Sequence, residues 1–400
     1  MCAIVVGFLR SCQSTVSERF DFEGLSGIME LNIAHVLRTI AAQQPESDCL
    51  CSERRQLSWA EFDDRTDRFA GALLGAGLLV DERRRNGLPP EISSPFARVG
   101  IYLHNGTEYL EAMMGAFKAR AVGININYRY LAEELTFVLA DSASEALVFH
   151  SRFAPLVSQI LPQLPRLTVL FQVPDDSGHE LVPGARWYEE ALVEADPSVA
   201  IALDSSLSGS DHYCCYTGGT TGMPKGVIWR QEDFCEGALG INLRDETGQH
   251  SQDRLFNSLK PGRLRALPTP PFMHGAAHWN AISALLAGGA VCIQAVPERL
   301  DAADIWRTAE QFSATSLLMV GDAFAGPLLA ELRRALERGE PYELGALRHI
   351  LSGGATLSAV NAEALRQLLA DVTIVDVLGS SESGRAAVSS RPPRSGAPAT

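Results

Sequence analysis

The feature of this 400-residue chain that most restricts its fold is a regular alternation of apolar runs and amphipathic segments. Apolar, strand-like runs occupy residues 99–103, 121–126, 146–149 and 167–173. The segments between them have a helical spacing of apolar residues and occupy residues 107–118, 131–139 and 153–161. Strands that alternate with helices of this length predict βαβ units, and uninterrupted apolar runs are typical of parallel strands covered on both faces.

A second alternating block begins near residue 290 and predicts another parallel sheet. Its strand-like runs are residues 290–293, 316–320, 349–351 and 372–375, and its helical segments are residues 302–312, 327–337 and 358–369. Polar stretches at residues 174–197 and 244–265 lie between the two blocks. We therefore predict an α/β protein with two subdomains, residues 29–200 and residues 201–384.

Both ends of the chain depart from this pattern. Residues 1–28 show no apolar period, so we predict an unstructured extension before a first helix that opens near Met29. The next helix has the signature of a capping box, with Ser58 followed three residues later by Glu61. The pattern stops after Gly384, and residues 391–400 consist mainly of proline, alanine, arginine and glycine without periodicity, so we predict a disordered tail over residues 385–400.

Charge and composition exclude several classes of protein. The net charge is −14, so the surface should repel nucleic acid and anionic lipid. The apolar run near the N-terminus, residues 3–9, is far shorter than the roughly 20 residues that a membrane span needs. The eight cysteines contain no CxxC pair and predict free thiols in a reducing compartment. We predict a cytoplasmic protein with no nucleic-acid partner and no membrane span.

Residues 216–226 carry the strongest chemical signal, with the sequence YTGGTTGMPKG between two apolar segments. A loop of this composition offers exposed backbone N–H groups, threonine hydroxyls and the Lys225 ammonium, a set that suits a polyphosphate. It is not a Walker A loop, because Pro224 precedes the lysine and Gly226 follows it in place of serine or threonine. The alternative is a glycine-rich hairpin turn without a ligand.

Residues 217–226 resemble the signature phosphate loop of the adenylate-forming superfamily, which includes acyl-CoA synthetases, luciferases and peptide-synthetase adenylation domains. Further motifs of that superfamily follow the family's order, and the resemblance covers residues 29–384. The matching segments are NINYRY at 125–130, PFMHG at 271–275, SGGA at 352–355 and DVLGSSE at 376–382. The first of these is similar to acyl-CoA synthetases of the fatty-acyl type.

The resemblance implies a fold and a reaction. The fold is the large N-terminal domain of the adenylate-forming enzymes, with two βαβ parallel-sheet subdomains and a smaller β region. The reaction consumes a small-molecule carboxylic acid, ATP and CoA, with Mg²⁺ as the metal. The carboxylate attacks the α-phosphorus of ATP and releases pyrophosphate, and the CoA thiol then displaces AMP.

The resemblance also implies roles for particular residues. Thr217, Lys225 and Glu382 correspond to catalytic positions, and Glu382 to the Mg²⁺ ligand. The positions that match nucleotide-binding motifs are Thr217, Gly218, Gly219, Thr220, Thr221, Gly222, Lys225, Gly353, Gly354, Ala355, Asp376, Leu378, Gly379, Ser380 and Ser381. His274 and Trp279 correspond to the acyl pocket, although Trp279 is equally consistent with a core position.

His274 and His278 are four residues apart, a spacing that could indicate a metal pair on a helix. No glutamate follows His274 as in the HExxH motif, and Pro271 and Gly275 disfavour a regular helix around it. These features disfavour a metal pair, and the resemblance implies that His274 borders the acyl pocket instead.

The chain departs from the family pattern at several positions. Gly218 stands where many members have serine, Leu378 replaces the aromatic residue expected to stack on adenine, and Ser381 replaces threonine. After Gly384 we can place neither the ribose-binding aspartate nor the mobile C-terminal domain with its catalytic lysine.

On this resemblance we expect a C-terminally truncated synthetase whose lid domain is absent, with ATP and Mg²⁺ binding retained and thioester formation weakened. The alternative is a non-catalytic nucleotide- or acyl-binding remnant of such a synthetase. A peptide-synthetase adenylation domain is a third interpretation, disfavoured because the chain shows no carrier segment.

Overall fold

A computed structural model describes residues 31–82, 94–218 and 222–394. The predicted extension at residues 1–28 lies outside these residues. The strands are β1 (Asp48–Cys51), β2 (Gln56–Ser58), β3 (Arg98–Tyr102), β4 (Val122–Asn125), β5 (Ala146–His150), β6 (Val169–Val173), β7 (Ala185–Trp187), β8 (His212–Thr217), β9 (Lys225–Arg230), β10 (Arg265–Pro268), β11 (Ala290–Cys292), β12 (Ser316–Met319), β13 (His349–Gly353), β14 (Thr373–Ser380) and β15 (Gly384–Arg391).

The longer helices pack on both faces of the sheets, as the continuous apolar strands predicted. They are α1 (Ile33–Gln43), α2 (Trp59–Gly75), α3 (Thr107–Lys118), α4 (Ala132–Asp141), α5 (Ala154–Ile160), α6 (Tyr188–Glu194), α7 (Gln252–Ser258), α8 (Gly275–Leu286), α9 (Ala302–Gln311), α10 (Gly321–Arg338) and α11 (Ala359–Leu368). None of the helices described here combines the length and the apolar composition needed to cross a lipid bilayer.

The strands form two sheets that are mostly parallel. One has seven strands in the order β7-β6-β5-β3-β4-β8-β9, with only β9 antiparallel to its neighbour. The other has eight strands in the order β15-β14-β13-β12-β10-β11-β1-β2, with the outer strands β15 and β2 antiparallel. The α/β fold class with two parallel-sheet units is therefore confirmed.

The sheets exchange segments across the predicted boundary between residues 200 and 201. Strands β1 and β2 join the eight-stranded sheet, where Leu50 pairs with Val291 and Cys51 with Cys292. Strands β8 and β9 join the seven-stranded sheet, where Cys214 pairs with Ile124. In each sheet, the two strands at one edge therefore come from the other half of the sequence.

The predicted disordered tail is wrong for residues 385–391, which form β15 against β14. The segment has no apolar period, but the ladder to β14 satisfies its backbone groups, and that requirement overrides composition. Two side chains hold it as well. Arg391 Nη1 lies 2.6 Å from Asp376 Oδ2, and Arg385 Nη2 donates to the carbonyl of Leu239 at 3.0 Å. Residues 395–400 lie outside the described residues.

A buried charged group links the helices that cover the seven-stranded sheet. Glu111 on α3 is fully buried and accepts hydrogen bonds from Arg65 Nε at 2.9 Å and Nη2 at 2.8 Å. Tyr188 also donates its hydroxyl to Glu111, at 3.2 Å. Burial raises the pKa of Glu111, and the Arg65 guanidinium opposes that effect. The bidentate pair therefore compensates for the desolvation of the carboxylate.

Candidate functional site

The candidate phosphate loop closes a hairpin between β8 and β9. Thr217, the last residue of β8, pairs with Lys225, the first residue of β9, so both stand at the base of the loop. Lys225 is exposed, and Gly222 has φ +151°, a conformation that favours glycine. Three predicted nucleotide-binding residues lie outside the described part of the chain, namely Gly219, Thr220 and Thr221.

The strand that leads into this loop is anchored on three sides at Tyr216. The Tyr216 N–H donates to Asn125 Oδ1 at 2.7 Å, and Asn125 Nδ2 donates to the Tyr216 carbonyl at 2.9 Å. The Tyr216 hydroxyl donates to Asp141 Oδ2, at the end of α4, at 2.6 Å. The residue immediately before the loop is therefore fixed both through its backbone and through its side chain.

Residues 270–274 approach the same strand from the eight-stranded sheet. This segment is held by α3 and the residues before it. The Phe272 N–H donates to Asn105 Oδ1 at 2.6 Å, Asn105 Nδ2 donates to the Pro270 carbonyl at 2.9 Å, and Tyr109 donates its hydroxyl to the Phe272 carbonyl at 2.9 Å.

His274 is the N-cap residue of α8, and its side chain is exposed. Partial desolvation, with repulsion from Arg129, lowers the pKa of His274. The side chain is therefore neutral at neutral pH, and its place beside the acyl pocket stays a prediction.

His278 is fully buried and has a structural role. His278 Nδ1 lies 2.7 Å from the Phe272 carbonyl oxygen, which can only accept, so Nδ1 carries the proton and donates. In a neutral ring the other nitrogen is then an acceptor, and Nε2 accepts a hydrogen bond from the Tyr213 hydroxyl. Burial lowers the pKa of His278 to about 4, which keeps the ring neutral. Both ring nitrogens of His278 are thus occupied by hydrogen bonds within the protein.

Trp279 continues this network towards the core. Its Nε1 donates to Tyr213 Oη at 2.6 Å, and its ring meets Phe234 edge to face at 5.3 Å between centroids. The predicted acyl-pocket role of Trp279 remains a prediction, since these contacts also suit a core position.

The turn that carries Ser381 and Glu382 packs against β8 and β9. Trp229 Nε1, on β9, donates to the Ser381 carbonyl at 3.0 Å. Burial raises the pKa of the Cys215 thiol to about 11. Hydrogen bonding with Tyr213 and Ser381 opposes this rise, and the nearby Glu382 charge adds to it. Glu382 is exposed. The end of β8 and the Glu382 turn therefore lie close together, although Thr217 and Glu382 are 165 positions apart in the sequence.

The start of helix α8 also lies next to Cys215. A Cβ added at Gly275 would lie 3.5 Å from Cys215 Sγ, so the first turn of α8 rests directly on β8. The predicted phosphate-binding, acyl-pocket and metal-binding segments meet around Cys215.

The predicted adenine-binding residues lie at or just beyond the carboxyl ends of β13 and β14. Gly353 is paired with Val377, and Gly354 has φ +82°, which turns the chain away from the strand. Leu378 is 68% exposed, so its side chain presents an apolar surface beside this turn. Ligands in α/β proteins commonly bind at the carboxyl ends of the strands.

The remaining positions of the last motif are fixed by local contacts. Asp376 forms its ion pair with Arg391, and Ser380 Oγ lies 2.9 Å from Ser383 Oγ. Gly379 leaves no room for a side chain, because a Cβ there would lie 2.5 Å from the carbonyl oxygen of Gly384.

The oxygen donors at the turn suit a hard divalent cation. Glu382 offers an exposed carboxylate, and the neighbouring Ser381 offers a hydroxyl. Mg²⁺ prefers a few protein oxygens completed by phosphate oxygens and water, so this donor set fits Mg²⁺.

A different acidic cluster, which follows β9 in the sequence, is an ion-pair network. Glu232, Glu236 and His250 lie within metal-binding distance of one another. Arg244 already fills the cation position, with Nη2 2.8 Å from Glu232 Oε1 and Nε 2.6 Å from Glu236 Oε1.

The sequence profile of the AMP-binding enzyme family matches residues 37–399. This match, together with the fold and the site, shows that the chain belongs to the AMP-binding enzyme family, and the relatives below are acyl-CoA ligases. The resemblance predicted from the motifs is therefore confirmed.

Two characterised relatives align over most of the chain. It is 38% identical over 353 residues to the medium-chain acyl-CoA ligase Mig of Mycobacterium avium, covering 87% of this chain and 62% of that ligase. It is 33% identical over 362 residues to the 3-oxocholest-4-en-26-oate–CoA ligase of Rhodococcus rhodochrous, covering 89% and 61%. The chain thus spans about three fifths of the length of these relatives.

Solved structures agree on the fold. The anthranilate CoA ligase AuaEII in complex with anthranoyl-AMP matches with a TM-score of 0.69 and 19% identity, over 88% of this chain and 60% of that chain.

The sequence analysis did not identify several residues that hold the site together. Asn125 lay within a recognised motif but had no role assigned, while Asn105 and Asp141 carried no signal. Their partners are distant in sequence, so no local pattern could reveal them.

Proposed function

We propose that this chain activates a carboxylic acid with ATP to form an acyl-adenylate, which CoA then converts to an acyl-CoA. The observation that carries the proposal is the convergence of the phosphate-loop strand, the start of α8 and the Glu382 turn around Cys215. A single ligand that bears a polyphosphate and an acyl group would contact all three.

The residues divide the work by chemistry. Thr217 and Lys225 neutralise and orient the polyphosphate at the base of the hairpin, with the backbone N–H groups of the loop. Glu382 would hold Mg²⁺, which offsets charge on the phosphates when bound, and the hydroxyls of Thr217 and Ser381 would lie near those phosphates. In such a reaction positioning and charge neutralisation lower the barrier more than covalent chemistry does.

The adenine and the acid would contact different segments of the chain. The turn at residues 353–355, with Leu378 beside it, supports the adenine of the bound nucleotide. His274 and Trp279 line the acid side. Because His274 is neutral at neutral pH, it can approach an acyl chain without the desolvation cost of a charge.

The acid we propose is a fatty acid. The relatives are named for medium-chain acyl groups and for a sterol-derived carboxylate, both of which join a carboxylate to a large apolar body. The apolar and aromatic surroundings of α8 suit such a body better than a polar amino acid.

The test is acid-dependent exchange of radiolabelled pyrophosphate into ATP by the purified chain, with a panel of medium- and long-chain fatty acids and a sterol carboxylate. We expect exchange only with acid and Mg²⁺ present. Glu382→Gln should lower the rate by about 10²-fold, the scale reported for removing one electrostatic stabiliser. Glu337→Gln, an exposed carboxylate on α10, is the matched control and should leave the rate unchanged.

Two results would contradict the proposal. ATP binding without acid-dependent exchange would identify a nucleotide-binding protein that lacks catalysis. Exchange that is equally fast in the Glu382→Gln variant would remove this glutamate from the mechanism.

A further inference from the structure

One buried side chain bonds both the phosphate-loop strand and the acyl segment. Asn125 is 2% exposed and lies at the end of β4, which is an inner strand of the seven-stranded sheet between β3 and β8. Its Nδ2 donates to the Tyr216 carbonyl at 2.9 Å and to the Met273 carbonyl at 2.6 Å. Its Oδ1 accepts the Tyr216 N–H at 2.7 Å.

The geometry uses both donors of the Asn125 amide. A primary amide has two N–H groups, and here one goes to each of two chain segments that are 57 residues apart by position. Because Oδ1 accepts the Tyr216 N–H, the amide group cannot be flipped, and Nδ2 must face the two carbonyls. The side chain therefore sets the separation of the Tyr216 and Met273 carbonyls.

Neighbouring contacts make this link rigid. The Tyr128 N–H, three residues after Asn125, approaches Met273 Sδ at 3.3 Å. On the other side, the Tyr216 hydroxyl is held by Asp141. The residues next to the two carbonyls are Thr217 and His274, which are predicted to contact the phosphates and the acid.

We propose that Asn125 is a positioning residue that holds the phosphate-binding and acid-binding segments at the distance required for attack on the α-phosphorus. The inference rests on the proposed function, because it concerns how that site is assembled. Asn125 touches no substrate itself; it acts through the backbone of Tyr216 and Met273.

A positioning role makes a prediction that a merely structural role does not. Ligands that contact one segment should bind nearly normally when Asn125 is changed, whereas a ligand that spans both segments should lose affinity. Misplacement by about 1 Å can cost about 10²-fold in such a site.

The experiment measures binding to the purified chain by calorimetry. The probes are MgATP, dodecanoate, and dodecanoyl-sulfamoyl-adenosine, a non-hydrolysable mimic of the acyl-adenylate that spans both segments. The variants are Asn125→Asp, which keeps the acceptor and removes both donors, and Asn125→Ser, which avoids a buried charge if the aspartate variant does not fold.

Asn105→Asp is the matched control. Asn105 is similarly buried, at 5% exposed, and makes the same kind of amide contacts, but to Pro270 and Phe272 of the acyl segment only. We expect the Asn125 variants to lower the affinity for the spanning mimic by about 10²-fold and the affinity for MgATP by less than about threefold. The Asn105 variant should lower the affinity for dodecanoate and the affinity for the mimic equally.

The outcomes separate the two proposals. If the unmodified chain binds neither MgATP nor the mimic, the proposed function fails and this inference fails with it. If it binds both, and the Asn125 variants weaken MgATP and the mimic equally, the function stands and the positioning role is refuted. Binding of MgATP without the mimic would show that the two segments do not form one site, which also refutes it.

Discussion

Trp229 Nε1 donates a hydrogen bond to the carbonyl oxygen of Ser381 at 3.0 Å. This bond joins β9, which leaves the phosphate loop, to the turn that presents Glu382. The two segments belong to different sheets, so the bond helps to fix one sheet against the other at the candidate site.

Replacing Trp229 with phenylalanine should loosen the Glu382 turn while it preserves most of the packing. The bond is worth about 0.5–1.5 kcal/mol, so we expect the Michaelis constant for MgATP in the exchange reaction to rise about two- to tenfold. Trp187→Phe, a half-buried tryptophan on β7, is the control and should leave this constant unchanged. An unaltered constant in the Trp229 variant would separate this bond from nucleotide binding.

The buried His278 should make stability depend on pH. Its pKa in the folded chain is about 4, below the ordinary value, because the neutral ring is buried. Between about pH 6.5 and pH 4 the unfolded chain takes up a proton that the folded chain does not, so stability falls as the pH is lowered. The contribution is about 1.4 kcal/mol per pH unit in that window.

Urea unfolding at several pH values between 7 and 4.5 would measure this dependence. We expect His278→Gln to be less stable at neutral pH but to lose stability more slowly on acidification than the unmodified chain. Parallel pH profiles for the two proteins would show that His278 is not the group responsible.

Glu111→Gln should destabilise the fold strongly. The change removes the carboxylate from a pair with Arg65 in which the Glu111 side chain is completely buried, and breaking such a pair costs about 3–5 kcal/mol. Asp64→Asn breaks the exposed pair with Arg68 and should cost under about 1 kcal/mol. Chemical denaturation gives both values; similar losses in the two variants would contradict the assigned role of burial.

Gly384→Ala should disturb the end of the chain and the site together. Gly384 has φ +68°, and a Cβ there would lie 2.6 Å from the Cα of Ala238, so alanine adds both strain and a clash. The left-handed conformation alone costs about 1–2 kcal/mol for a residue with a side chain. We expect a lower melting temperature and weaker MgATP binding.

Gly345→Ala is the control for that substitution, because Gly345 is not among the glycines with positive φ and a Cβ there would meet no atom within 4 Å. Equal effects of the two alanines would argue against a structural role for β15.

Local patterns were sufficient for single elements. The predicted helix at 107–118 is α3, Thr107–Lys118, with the same bounds. The capping box is formed as expected, with the Ser58 N–H donating to Glu61 Oε2 at 2.7 Å and the Glu61 N–H donating to Ser58 Oγ at 3.2 Å. Such features depend on contacts within one or two turns, which short stretches of sequence specify.

Element ends were less predictable where tertiary packing decides. Helix α10 was predicted at residues 327–337, but it begins at Gly321 and contains Pro327. Ala325 lies before the proline and is fully buried in the core, so packing extends the helix towards its N-terminus. Strand β14 likewise continues beyond residue 375 to Ser380, because β15 pairs with it.

By itself the sequence determined the α/β class, the positions of most helices and strands, and the loop of residues 217–226 whose composition suits phosphate. Only the tertiary structure decided which sheet each strand joins, the ordering of residues 385–391, and the meeting of Cys215, Gly275 and Ser381. The physical reason is separation along the chain. Hydrogen bonds such as those from Asn125 to Tyr216 and Met273 join residues 91 and 148 positions apart, and no periodicity in a single sequence records such pairs.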